Sequence, residues 1–190
     1  IQAFSLAARD GKVFYQADAK VFCVGLRDGK ELWQVPAKAG VSKLIACEDR
    51  VLLGSRGTIQ AVSADKGKTL WTVKASLAGR GELFVTGGKA WHWEGHNIVG
   101  RDLQTGKLVE TVETADAFTE GHHLRCYASK ATTKFMITPY RGAEFISLTG
   151  GANTQNDWVR GPCTYGIIPG NGLLYAPPDP CFFFPRVKLT

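Results

Sequence analysis

Three stretches decide the fold: LRDGKELW (Leu26–Trp33), ADKGKTLW (Ala64–Trp71) and LQTGKLVE (Leu103–Glu110). Their turn glycines, Gly29, Gly67 and Gly106, stand 38 and 39 residues apart. A second marker keeps the same step: GKVFYQ begins at Gly11, DRVLLG at Asp49 and GKAWHW at Gly88. Two markers recurring in register define an internal repeat, the first thing to seek in a sequence. The register continues past the third copy. Lys89 maps to Lys134 and Gly106 to Gly151, both with an offset of 45, which places an insertion between Glu113 and His123. Lys134 then maps to Gly172, a step of 38, giving five copies of the second marker.

Within one copy the pattern is of short strands. Phe4–Ala8, Val13–Gln16, Lys20–Leu26 and Glu31–Val35 are apolar-rich runs separated by turn residues. The Arg-Asp-Gly and Asp-Lys-Gly triplets before the last run are hairpin turns, where glycine supplies the positive φ. Four strands in a unit of this length form a propeller blade, and a blade hides its two apolar faces only by stacking on neighbours. No 3.6-residue periodicity persists and no Leu-x-x-Leu-x-Leu pattern occurs, which excludes helical and leucine-rich solenoids. The reading is therefore an all-β chain, a β-propeller of four-stranded antiparallel blades. About five repeats are expected, near 1–36, 37–75, 76–114, 124–160 and 161–190. The fifth repeat should reach its turn glycine near the end of the chain, so its last strand is expected to be missing. The start at Ile1 has neither Met nor a signal-peptide pattern. The expectation is a part of a larger propeller, or a ring that closes imperfectly as five blades.

Composition narrows the function classes. Of 190 residues 44% are hydrophobic, enough for a sizeable core, yet no run of 18 apolar residues could span a membrane as a helix. The net charge of +6 comes from Lys and Arg scattered through turns rather than from a basic run with interleaved aromatics, so no nucleic-acid partner is expected. Five cysteines, Cys23, Cys47, Cys126, Cys163 and Cys181, include no C-x-x-C pair. Cys23 and Cys47 fall in apolar strand patterns and read as inert buried thiols.

The residues around the turn glycine resemble the PQQ-like (quinoprotein alcohol dehydrogenase-like) propeller repeat, Ala-x-Asp-x-x-x-Gly-x-x-x-Trp. The Ala position holds Cys23, Ala61 and Gly100; the Asp position Gly25, Ser63 and Asp102; the Trp position Trp33, Trp71 and Glu110. That resemblance implies that Trp33 and Trp71 dock between blades. HHLRCY (His122–Tyr127) and WVRGPCTYGIIPGNGLLYAPPDPC (Trp158–Cys181) further resemble large bacterial PQQ-like propeller proteins. Some of those carry a methyltransferase-like domain, of which nothing is seen here.

Propeller topology puts the loops entering the innermost strand and those between the second and third strands on one face. His122, His123, Arg125, Cys126, Asp157, Trp158, Arg160, Cys163 and Tyr165 are thereby candidates for a binding face. The cysteines there admit three readings: a disulfide, Cys163 with Cys181, which needs an oxidising compartment; buried free thiols; or a metal site of His122 or His123 with Cys126, which adjacent histidines pointing apart disfavour. No metal is expected. For Asp157, Arg160 and Arg125 the alternatives are a salt bridge pinning two loops and an anion pocket.

Quinone-dependent dehydrogenases of this family cap PQQ with a disulfide between adjacent cysteines and bind calcium. Neither a pair of adjacent cysteines nor a calcium-binding set stands out here. The expectation is a non-catalytic scaffold or binding segment of a larger bacterial protein, periplasmic or otherwise extracytoplasmic. Its partner is the remainder of the polypeptide, another protein, or a small-molecule or glycan ligand. The alternative is part of a PQQ-dependent oxidoreductase that shares its PQQ and calcium site with residues outside this chain.

Overall fold

The computed structural model describes residues 5–37, 41–75, 77, 82–118, 124 and 127–178. These residues are strands and turns throughout, with no helix. They group into two compact units, one of residues 1–95 with 99–110 and one of 96–98 with 111–190.

The first unit holds three four-stranded antiparallel sheets, each in chain order. The first sheet is β1 (Leu6–Arg9), β2 (Lys12–Ala17), β3 (Lys20–Gly25) and β4 (Glu31–Pro36). The second is β5 (Val41–Cys47), β6 (Arg50–Ser55), β7 (Gly57–Ser63) and β8 (Thr69–Ala75). The third is β9 (Leu83–Thr86), β10 (Lys89–Glu94), β11 (Asn97–Asp102) and β12 (Leu108–Val112). No described strand pairing crosses from one sheet to the next at Pro36 or Ala75. These are propeller blades, and the repeat read from the glycines is their period.

The turn between the third and fourth strands is built the same way in all three. The amide of Gly29 donates to Gly25 O, that of Gly67 to Ser63 O, and that of Gly106 to Asp102 O, at 2.8–2.9 Å. Each glycine has φ near +70°, the left-handed region that a β-carbon disfavours. The pairing of the third and fourth strands shifts register at Cys23/Val24 and again at Ala61/Val62, on the turn side of the pairs Cys23–Trp33 and Ala61–Trp71.

Packing between blades supplies the core. Phe14, Val21, Cys23 and Trp33 of the first blade meet Val41, Leu44, Val51, Leu53 and Val62 of the second. Leu52, Ile59, Ala61 and Trp71 of the second blade meet Leu83, Ala90 and Leu103 of the third. The indole of Trp33 donates to Ala64 O and that of Trp71 to Leu103 O, each at 3.0 Å. Cys23 and Cys47 are free and buried, and burial pushes both thiols up to about 11.

The second unit departs from the regular blade. It holds a three-stranded sheet, β13 (Lys130–Ala131), β14 (Phe135–Thr138) and β15 (Glu144–Ser147), and a two-stranded one, β16 (Ile168–Gly170) and β17 (Leu173–Tyr175). The fourth strand that a complete blade over 124–160 requires shrinks to a single bridge, Phe145 with Thr154. Gly150 and Gly151 both take positive φ, and the side chain of Asn153 takes over the pairing. Its Oδ1 accepts the Ser147 amide at 2.9 Å, while its Nδ2 donates to Glu113 O and Asp116 Oδ1. A side-chain amide thus satisfies groups that a strand would have satisfied. Tyr127, Ile137, Ala143 and Ile167 form one buried apolar cluster of this unit.

Candidate functional site

Two loops of the second unit converge: residues 139–143, between β14 and β15, and residues 155–167. Tyr127 ties them together. Its buried hydroxyl donates to Gly142 O at 3.1 Å and accepts the Gly161 amide at 3.3 Å. The backbones then approach so closely that only glycine fits. A β-carbon at Gly142 would strike the Asn156 carbonyl, and one at Gly161 would strike the Gly166 backbone. Gly166, at φ +70°, leaves room for the Tyr127 ring.

Glu144 fixes the first loop from below. The carboxylate is fully buried and accepts the amides of Tyr140, Arg141 and Gly142 at 2.7–2.9 Å. Burial pushes its pKa above the usual value, against those three donors. The second loop is joined to the first by Ala143 N to Asn156 O at 2.9 Å and by the ion pair of Arg141 with Asp157 at 2.7 Å.

On this framework Trp158 and Tyr165 stand out to solvent, 72% and 78% exposed. Arg160, between them in sequence, is buried and reaches Cys163 Sγ at 3.8 Å. Cys163 is disulfide-bonded. Of the residues singled out from the sequence, Asp157, Trp158, Arg160, Cys163 and Tyr165 therefore belong to one loop. His122, His123, Arg125, Cys126 and Cys181 lie outside the described residues.

Arg141, Glu144 and Tyr127 carry the framework and were not among the sequence candidates. The signal was present in Tyr-Arg-Gly-Ala-Glu (140–144), a glycine turn followed at once by an acid. The first unit has a different concavity, a cleft of about 350 Å³ between its first two blades lined by Arg9, Asp10, Lys12, Glu48, Asp49 and Asp65. Lys12 and Asp65 close it with an ion pair at 2.6 Å. Among the described residues no group of three or more His, Cys, Asp or Glu side chains is placed to hold a metal ion. No helix among them is long and apolar enough to cross a membrane.

A family model described as outer membrane protein assembly factor BamB matches residues 3–142. The chain belongs to this PQQ-like propeller family. Similar solved structures include BamB from Moraxella catarrhalis, at 15% identity and a TM-score of 0.55, covering 92% of this chain and 68% of that one. The dihydro-heme d1 dehydrogenase NirN gives 14% identity and a TM-score of 0.60, covering 83% of this chain and 39% of that one. A europium-containing methanol dehydrogenase gives 17% identity and a TM-score of 0.47, covering 57% of this chain. The chain spans only 24% of that dehydrogenase's length. The curated proteins give no match. At such identities the likeness shows a shared propeller fold, on which assembly factors and dehydrogenases both occur.

Proposed function

We propose that this chain is a non-catalytic binding segment of a larger PQQ-like propeller protein, and that the 155–167 loop is its contact surface. The observation that carries this reading is the exposure of Trp158 and Tyr165 on a backbone pinned by Tyr127, Glu144 and the Arg141–Asp157 pair. Exposed aromatics on a rigid support lose little conformational entropy when a partner covers them, and aromatics are enriched among residues that dominate binding energy. The partner is a protein, in keeping with the family's description as an assembly factor. The disulfide at Cys163 and that description both support a periplasmic or other extracytoplasmic setting.

Photocrosslinking tests this. A photoreactive residue at position 165 should give one defined protein adduct in a cell-envelope extract, lost in Trp158→Ala. A photoreactive residue at Lys66, in a turn of the first unit, should not give it. Thermal shift with PQQ and calcium separates the oxidoreductase alternative. A stabilisation that saturates with PQQ, without a crosslink at 165, would replace the scaffold reading.

A further inference from the structure

The contact between the first two blades holds a cleft of about 350 Å³, at the lower end of the range of about 300–1,000 Å³ for small-ligand sites. The corresponding place between the second and third blades is occupied by a side chain of the protein itself. The repeat register pairs Lys12 with Arg50, Ala64 with Leu103 and Asp65 with Gln104. Arg50 is buried, and its guanidinium donates to Leu103 O at 2.6 Å, to Asp49 Oδ1 at 2.7 and 3.0 Å, and to Gln104 Oε1. One guanidinium thus meets a main-chain carbonyl and two side-chain acceptors at once.

The first contact has the acceptors without the guanidinium. Lys12 donates to Asp65 Oδ1 at 2.6 Å and makes no other hydrogen bond among the described residues. Leu103 O accepts both the Trp71 indole and Arg50, whereas its counterpart Ala64 O accepts the Trp33 indole alone. A carbonyl oxygen has two acceptor positions, so one at Ala64 is unused. Phe14, Ala46 and Ala64 give the cleft an apolar lining.

Charge points the same way. Four carboxylates line the cleft against two cations, Arg9 and Lys12. Asp10 pairs with Arg9, Asp49 with Arg50 and Asp65 with Lys12. Glu48 has no cation among the described residues, and its Oε2 accepts only the neutral Gln104 amide, at 3.3 Å. In the next contact the register position of Glu48 is Gly87, which carries no charge.

We propose that the cleft between the first two blades is a binding site for a guanidinium group. Its fork of donors is met by the Glu48 and Asp65 carboxylates and by the free acceptor position of Ala64 O, with its stem along Phe14 and Ala46. Arg50 displays the same arrangement one contact further on. The ligand is therefore an arginine side chain of a peptide, or a small molecule bearing that group. An ammonium is a point charge and matches such spread acceptors less well. All the lining residues belong to the first unit, so the site is independent of the proposed 155–167 surface.

The test is a titration of the full chain with N-acetylarginine amide, followed through the backbone amide resonances of Glu48 and Asp65. Saturable shifts are expected, weakened by salt, with N-acetyllysine amide binding about fivefold less tightly. Lys12→Arg brings a guanidinium into the cleft from the chain itself. It should weaken the titration about tenfold while raising the urea midpoint, the opposite of what a poorly folded variant gives. Glu48→Gln, at an exposed position, should weaken it about threefold. Tighter binding of Ac-Gly-Arg-Gly-amide marks a peptide as the source of the group, tighter binding of the single amino-acid amide a small molecule. Absence of saturable shifts, equal binding of the lysine compound, or undiminished binding by Lys12→Arg would overturn the proposal.

Discussion

Trp71 is held by its ring and by its indole N–H at once, against Gly106 and Leu103 O. Truncation removes both the buried area and the hydrogen bond. Trp71→Ala should cost about 3–5 kcal/mol in a urea titration. Gly106→Ala should also destabilise, since its φ of +72° is unfavourable for alanine and its β-carbon would press on the indole. His92 makes a different residue-scale point. Fully buried, its Nε2 accepts from Arg101 Nε at 3.0 Å, leaving the proton on Nδ1 to bond Trp93 O. Burial lowers its pKa from 6.5, so the unfolded chain binds the proton more tightly than the folded one. Its contribution to stability is complete above pH 6.5 and is lost as pH falls from there towards the lowered folded value. Midpoints measured between pH 7.5 and 5 should show this loss, and His92→Gln should flatten it.

Among the elements, the 139–143 loop depends on one carboxylate. Glu144→Ala would leave three amides, two of them buried, without their acceptor and should cost about 3 kcal/mol or more. The loss should appear in hydrogen exchange as faster opening of Arg141 and Gly142. The register that defines the blades was legible because turn glycines and docking tryptophans are local requirements repeated at a fixed spacing. The irregular fourth blade was not legible. Nothing in the order of residues 150–156 says that the Asn153 side chain would stand in for a strand. That outcome depends on Glu113 and Asp116, 40 and 37 residues away in sequence, presenting acceptors at the right place. The candidate loop was half legible. Asp157, Arg160 and Cys163 stood out as charged or reactive residues among glycines, but Arg141, the partner of Asp157, was fixed only by the fold.

For the whole molecule, cysteine chemistry gives a direct measurement. Cys23 and Cys47 are buried free thiols raised to about 11, so neither should react with a thiol reagent at neutral pH while the chain is folded. Cys163 is bonded, so at most three of the five cysteines should titrate when the oxidised chain is denatured without reductant. Reduction should then lower stability by about 2–4 kcal/mol.

The sequence alone determined the blade and its period, because positive-φ turns answer to demands met within one repeat; the docking role of Trp33 and Trp71 followed from the family resemblance. Tertiary structure decided which polar groups became framework. The burial of Glu144 beneath three amides and the meeting of Arg141 with Asp157 depend on two loops being brought within hydrogen-bond reach.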